Sequence, residues 1–248
     1  MSSETQLFSI LIILVAFVVN AVVRRRTPPP LRPLPALETL ETLTALSVED
    51  SRPLHLSLGA AQLGSEDTLL ALVGAEFLYE SARRVAASDA APFITFGDAA
   101  TLPLARDTLR RAFDDSGALA NYRLAQARWI PATRPLALAG GLMALQSDDR
   151  PAGNLLIGRF GPELALVLDA ANRRRCPTIA TSANLEGQAV AYALASAPLI
   201  GEEVFAAAAY LSADPTEAKR LIVTDLLRWL TILALVVLLA VALLRGVA

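Results

Sequence analysis

Two long apolar runs, one near each end of the chain, constrain it before anything else does. Leu7 to Val23 reads LFSILIILVAFVVNAVV, and Trp229 to Leu244 reads WLTILALVVLLAVALL. A helix of ~17 residues at about 1.5 Å per residue reaches roughly 25 Å, close to the ~30 Å hydrocarbon core of a bilayer. Flanking side chains make up the difference. A core helix of a globular domain keeps a polar face, and neither run has one. A cleaved signal peptide would need a basic n-region and a small-residue cleavage site. Instead, Met1 to Gln6 carries Glu4 and no Lys or Arg, and the first run ends in Arg24, Arg25 and Arg26. Residues 1–26 are therefore expected to form an uncleaved transmembrane anchor with its basic flank, and residues 221–248 a second transmembrane helix.

The flanking cations orient both. Arg24, Arg25, Arg26 and Arg32 follow the first run, and Lys219, Arg220 and Arg228 precede the second. The positive-inside rule puts everything between the runs in the cytoplasm and both termini outside. The expected location is a bacterial inner (cytoplasmic) membrane, with the lipid bilayer itself as a partner. Trp229 at the start of the second run suits the interfacial aromatic belt.

Between the runs, Thr27 to Pro35 (TPPPLRPLP) reads as a proline-rich linker in extended polyproline II, and residues 36–220 as one soluble domain. The net charge of −2 gives no clustered basic footprint for nucleic acid. One cysteine, Cys176, and one histidine, His55, exclude an intramolecular disulfide, a cysteine-based zinc site and a two-histidine metal site. No metal ligand set is predicted and no residue pattern specifies a cofactor.

The pattern of the middle is strand, glycine, helix, repeated. Strands are predicted at 53–58, 92–96, 128–130, 154–157, 177–180 and 198–200. Helices are predicted at 36–46, from 65 or 66 to 87, from the 98 turn to about 113, at 134–145, from Pro162 to Arg175, and at 202–211. This is the signature of an α/β domain with a mostly parallel, Rossmann-like sheet and helices on both faces. Leu-Ile-Gly occurs at 156–158 and again at 199–201, a repeat attributed to one shared turn requirement.

In such a sheet ligands sit beyond the carboxyl ends of the strands. That points to Gly158, Gly161, Glu163, Thr181, Ser182, Glu202 and Glu203 as the candidate ligand-binding residues. Gly158-Arg159-Phe160-Gly161 before a helix could present backbone N–H groups to an anion. It is neither G-x-G-x-x-G nor a Walker A loop, and turn or packing glycines explain it as well. Gly201-Glu202-Glu203 puts carboxylates at a helix start, where the macrodipole favours them without catalysis. Thr181-Ser182-Ala183-Asn184 matches a short strand-end motif of the threonylcarbamoyl-adenylate synthase family by coincidence, since that family's basic nucleotide pocket has no counterpart here. His55, between Leu54 and Leu56, reads as a satisfied strand histidine. Cys176 reads as a small buried thiol, although Arg173, Arg174 and Arg175 before it would lower its pKa if close. No catalytic residue is assigned.

From Arg52 to Trp229 the chain resembles a bacterial membrane-protein family defined as a domain of unknown function and known chiefly from Chloroflexi-type genomes. RPLHLSLG (52–59), LLIGRFGPELA (155–165), LIGEEVFAAAAYLS (199–212) and the Asp225–Trp229 approach carry the resemblance. The family pattern has Gly-Ser-Phe-Gly where this chain has GRFG, which argues against a polar role at Arg159. The resemblance implies membrane attachment and supplies no activity.

The expected function is that of an assembly or partner-binding module, a homo-oligomer or a companion of another membrane protein, with Ala206 to Ala209 as the contact surface. The alternative is a membrane-tethered sensor or enzyme holding a small anionic ligand at the strand ends. A transporter subunit is the weakest reading, because neither apolar run carries a mid-membrane charge.

Overall fold

Leu54, Leu56 and Leu58 alternate with His55 and Ser57, and this period of two sends the leucines to one side of a strand and the polar residues to the other. The strand they form, β1 (Leu54–Gly59), is the centre of the molecule. The computed structural model describes residues 34–131, 134–211, 226, 228–232 and 234–235. Those from Leu34 to Leu211 belong to one compact unit.

The elements follow in chain order as α1 (Pro35–Glu49), β1, α2 (Thr68–Val85), β2 (Phe93–Phe96), α3 (Leu102–Asp115), β3 (Ala127–Trp129) and α4 (Pro135–Asp148). They continue as β4 (Gly153–Arg159), α5 (Leu164–Arg173), β5 (Thr178–Ser182), α6 (Leu185–Leu194), β6 (Ala197–Pro198) and α7 (Glu203–Leu211). The six strands form one sheet in the order β3-β2-β1-β4-β5-β6. Every neighbouring pair is parallel. The expected α/β class, with its parallel sheet, is what the chain adopts. The order reverses between β1 and β4, so the topological switch point lies there.

The two faces of the sheet differ. Leu54, Leu56 and Leu58 join Ile94, Phe96, Leu155, Ile157 and Ile179 in a core closed by α1, α2, α3 and α7. The opposite face meets α4, α5 and α6 through Leu156, Phe160 and Ala180. It also carries His55, Ser57, Thr95, Asn154, Thr178 and Ser182, all buried. A parallel sheet covered on both sides normally reads as a continuous apolar run. Here one face is polar and still covered, so its hydrogen bonds must be made internally. Among the described residues, no buried side-chain nitrogen or oxygen lacks a partner.

The linker predicted through Pro35 gives up its last residue, because Pro35 opens α1. A first-turn proline loses no helical hydrogen bond and comes with φ already set for a helix. The helix α6 was not anticipated. Its small residues face inward, with Gly187 and Ala191 buried, while Leu185 is 81% and Tyr192 74% exposed. Ala207 corrects the proposed contact surface: it is wholly buried in the core. A larger side chain there would disrupt packing instead of an interface.

The apolar run at 7–23 lies outside the described residues. Of the run at 229–244, residues 229–232 and 234–235 are described and helical. Among the described residues, no helix is long and apolar enough to cross a membrane.

Candidate functional site

The switch point opens into a cleft of about 280 Å³, lined by Ala60, Arg159, Gly161, Glu163 and Glu186 among others. In a nucleotide-binding sheet, this is where a helix N-terminus meets a phosphate. Here the N-terminus of α2 carries Glu66 and Asp67 instead. Arg159, the last residue of β4, donates through Nη1 to Asp67 Oδ2 at 2.6 Å and to Glu66 Oε1 at 3.2 Å. The hydrogen bond to Asp67, followed by its charge, raises the Arg159 pKa above its ordinary value. Asp67 is 5% exposed, so the guanidinium compensates a carboxylate that water scarcely reaches. The polar role that the resemblance counted against at position 159 is therefore present.

The start of α5 is arranged in the same way. The N–H of Gly161, the group an anion would use, donates to Glu163 Oε1 at 2.7 Å. Glu163 thus fills the site with the protein's own carboxylate. Glu163 and Glu186 line the cleft beside Arg159, whose guanidinium is already paired with Asp67 and Glu66.

The candidate residues separate into groups. Gly158 lies inside β4, not in a turn, and a Cβ there would run into the Leu58 backbone of β1. Gly201, at the second Leu-Ile-Gly, has φ +60 and open space around it. The repeat therefore meets two requirements, close strand packing at one site and a left-handed turn at the other. Ser182 Oγ donates to the Phe160 carbonyl at 2.5 Å and accepts from the N–H of Phe160 at 3.1 Å and of Asn184 at 3.0 Å. It fastens the β4 exit to the β5 exit. Thr181 is buried and, one residue earlier on the strand, faces the opposite side. Glu202 and Glu203 stand at the end of β6, an edge strand separated from β4 by β5. Glu203 Oε2 accepts from the Ile200 N–H at 3.1 Å, within the turn that leads into its own helix. Gly158, Gly161, Glu163 and Ser182 come together; Thr181, Glu202 and Glu203 do not join them.

A second polar constellation lies at the other end of the strands. His55 is fully buried, with Nδ1 at 2.8 Å from Asn154 Oδ1 and Nε2 at 2.9 Å from Thr95 Oγ1. Asn154 Nδ2 donates to Thr178 Oγ1 at 3.1 Å and to Cys176 Sγ at 3.2 Å. Its Oδ1 is thereby turned toward His55 and toward Gln146 Nε2, which donates to it at 2.7 Å. That orientation makes Nδ1 a donor, while Nε2 faces a Thr95 hydroxyl that also lies 3.4 Å from the Leu56 carbonyl. The imidazole stacks on Phe93 with centroids 4.9 Å apart, and Arg128 lies 4.1 Å from the centroid of the same Phe93 ring. Burial pushes the His55 pKa down to about 4, against the hydrogen bond to Asn154 that raises it. Burial likewise raises Cys176 to about 11, outweighing the lowering effect of Arg52. Burial therefore outweighs nearby positive charge and keeps the thiol protonated at neutral pH. Among the described residues, no group of His, Cys, Asp and Glu is placed to hold a metal ion.

The sequence matches a family model described as "Domain of unknown function (DUF6754)" over residues 2–247. The chain belongs to that family. The match takes in both apolar runs as well as the α/β unit, a wider span than the resemblance from Arg52 to Trp229. No curated protein and no solved structure matches the chain.

Proposed function

We propose that this DUF6754 chain is a two-pass membrane protein of the bacterial inner membrane whose α/β domain, on the cytoplasmic side, works by binding. It assembles with copies of itself or holds a membrane partner, and it turns over no substrate at the strand ends. The observation that carries this reading is the filled switch point. Arg159 is committed to Asp67 and Glu66, and Glu163 occupies the N–H that an anion would need. The apolar runs and their arginine flanks supply the membrane half of the argument.

Topology is tested in spheroplasts with single cysteines in a Cys176→Ser background. Ser3→Cys and Val247→Cys should react with a membrane-impermeant maleimide in intact spheroplasts. Ala120→Cys, on the exposed surface of the α/β unit, should react only after lysis. Labelling of Ala120→Cys in intact spheroplasts would place the domain outside and end this reading.

A further inference from the structure

Three helix-to-strand turns, after α1, α4 and α5, bring arginines to one cleft at the N-terminal ends of β1, β4 and β5. The cleft has a volume of about 220 Å³ and is lined by Arg52, Gln146, Arg150, Pro151, Arg174 and Cys176. We propose that it is an anion site, and that Arg52, Arg150 and Arg174 there bind a phosphate-bearing group. Its position is opposite to the mouth where a doubly wound sheet ordinarily takes ligands.

Apart from the long ion pair of Arg52 with Asp50, the arginines are held by neutral acceptors, which leaves much of their charge uncompensated. Arg52 donates through Nε to the Arg150 carbonyl at 2.9 Å and through Nη2 to the Pro151 carbonyl at 2.8 Å. The nearest carboxylate to Arg52, Asp50, is 3.7 Å away. Arg174 donates to the Ala170 carbonyl at 3.3 Å and to Ser147 Oγ at 2.5 Å. Asp149, beside Arg150 in sequence, is paired with Arg128 at 2.7 Å. The guanidinium of Arg150 has no hydrogen-bond or ion-pair partner among the described residues. Planar guanidinium forks suit phosphate oxygens better than ammonium groups do.

The floor is built as well. Gln146 is 1% and Cys176 3% exposed. Both are tied to Asn154, and through it to His55, so the polar floor is rigid. Arg150 has φ 47, as Ser51 and Arg175 have 50 and 53 at the matching turn positions, so glycine would fit its backbone without strain. The volume falls below the roughly 300–1,000 Å³ of drug-sized pockets, which fits a phosphate or pyrophosphate group and not a whole nucleotide. That group is either a free phosphorylated solute or a phospholipid headgroup.

The test uses the full-length chain in a neutral detergent, titrated calorimetrically with inorganic pyrophosphate and, separately, with phosphatidic acid in mixed micelles. Wild type should bind at least one of the two saturably. Arg150→Gly should weaken that binding roughly tenfold or more, the loss of one charge-assisted contact. Its thermal midpoint should stay level or rise, because the substitution relieves backbone strain, and Arg174→Gln should weaken the same binding. Binding of pyrophosphate that phosphatidic acid does not compete away identifies a free solute; tighter, competing phosphatidic acid identifies a headgroup. Failure of both probes to bind wild type, or equal affinity for wild type and Arg150→Gly, would overturn the proposal.

Discussion

An imidazole buried whole is tolerated only where both nitrogens have partners and the ring stays neutral. His55 meets both conditions, and its cost appears in the pH dependence of stability. The folded value near 4 lies below the ordinary 6.5. Between the two the unfolded chain binds a proton that the folded chain does not, so stability is complete above pH 6.5 and falls as the pH drops toward 4. The loss should be on the order of 3 kcal/mol. His55→Gln, although less stable at pH 7, should lack this component, and the gap between the two stability curves should narrow as the pH falls from 6.5 to 4. Parallel curves in urea unfolding of the full-length protein would count against it. In the sequence, His55 could be read as a strand histidine because the leucines on either side gave the period. Its partners could not be read, since Thr95 and Asn154 reach it from neighbouring strands, and Gln146 holds Asn154 from a helix far along the chain. The same limit hid Arg159: its acidic partners precede it by more than ninety residues.

At the scale of elements, the strands and most helices were legible because period and turn glycines agreed. The exceptions have physical causes. In α6 glycine and alanine pack inward while Leu185 and Tyr192 face out, inverting the pattern that marks an amphipathic helix. In β4, Gly158 stops nothing; the strand runs on to Arg159 because β1 comes too close for any side chain. The turns that build the arginine cleft share a design. Ser51, Arg150 and Arg175 all take positive φ just past a helix end, the position where glycine is usual. Arg-Pro precedes β1 and β4, a signal present in the sequence at 52–53 and 150–151 that only the turn geometry makes meaningful. Arg175 does not line the cleft, so Arg175→Gly should simply relieve strain. A gain of about 0.5–1 kcal/mol is expected, once the greater freedom of glycine in the unfolded chain is allowed for. The urea midpoint checks this, and a loss of stability would mean that the Arg175 side chain anchors the turn.

Taken whole, the α/β unit is a parallel sheet with two unlike mouths. At the carboxyl ends, carboxylates from α2 and α5 take the positions an anionic ligand would occupy. At the amino ends, arginines stand over a polar floor with little negative charge to answer them. The α/β class was legible from one chain because repeated strand-glycine-helix units are local features, and so was membership of a family defined as a domain of unknown function. Which mouth is filled and which is open was not, because it depends on ion pairs between distant residues. The central claim, a binding module whose switch point is occupied by its own side chains, is tested most directly by native mass spectrometry of the full-length protein released from mild detergent. The predicted result is a defined oligomer in which any added mass is lost in Arg150→Gly and kept in Gly161→Val. A discrete added mass with the opposite behaviour, lost in Gly161→Val and kept in Arg150→Gly, would put a ligand at the strand ends and contradict the account.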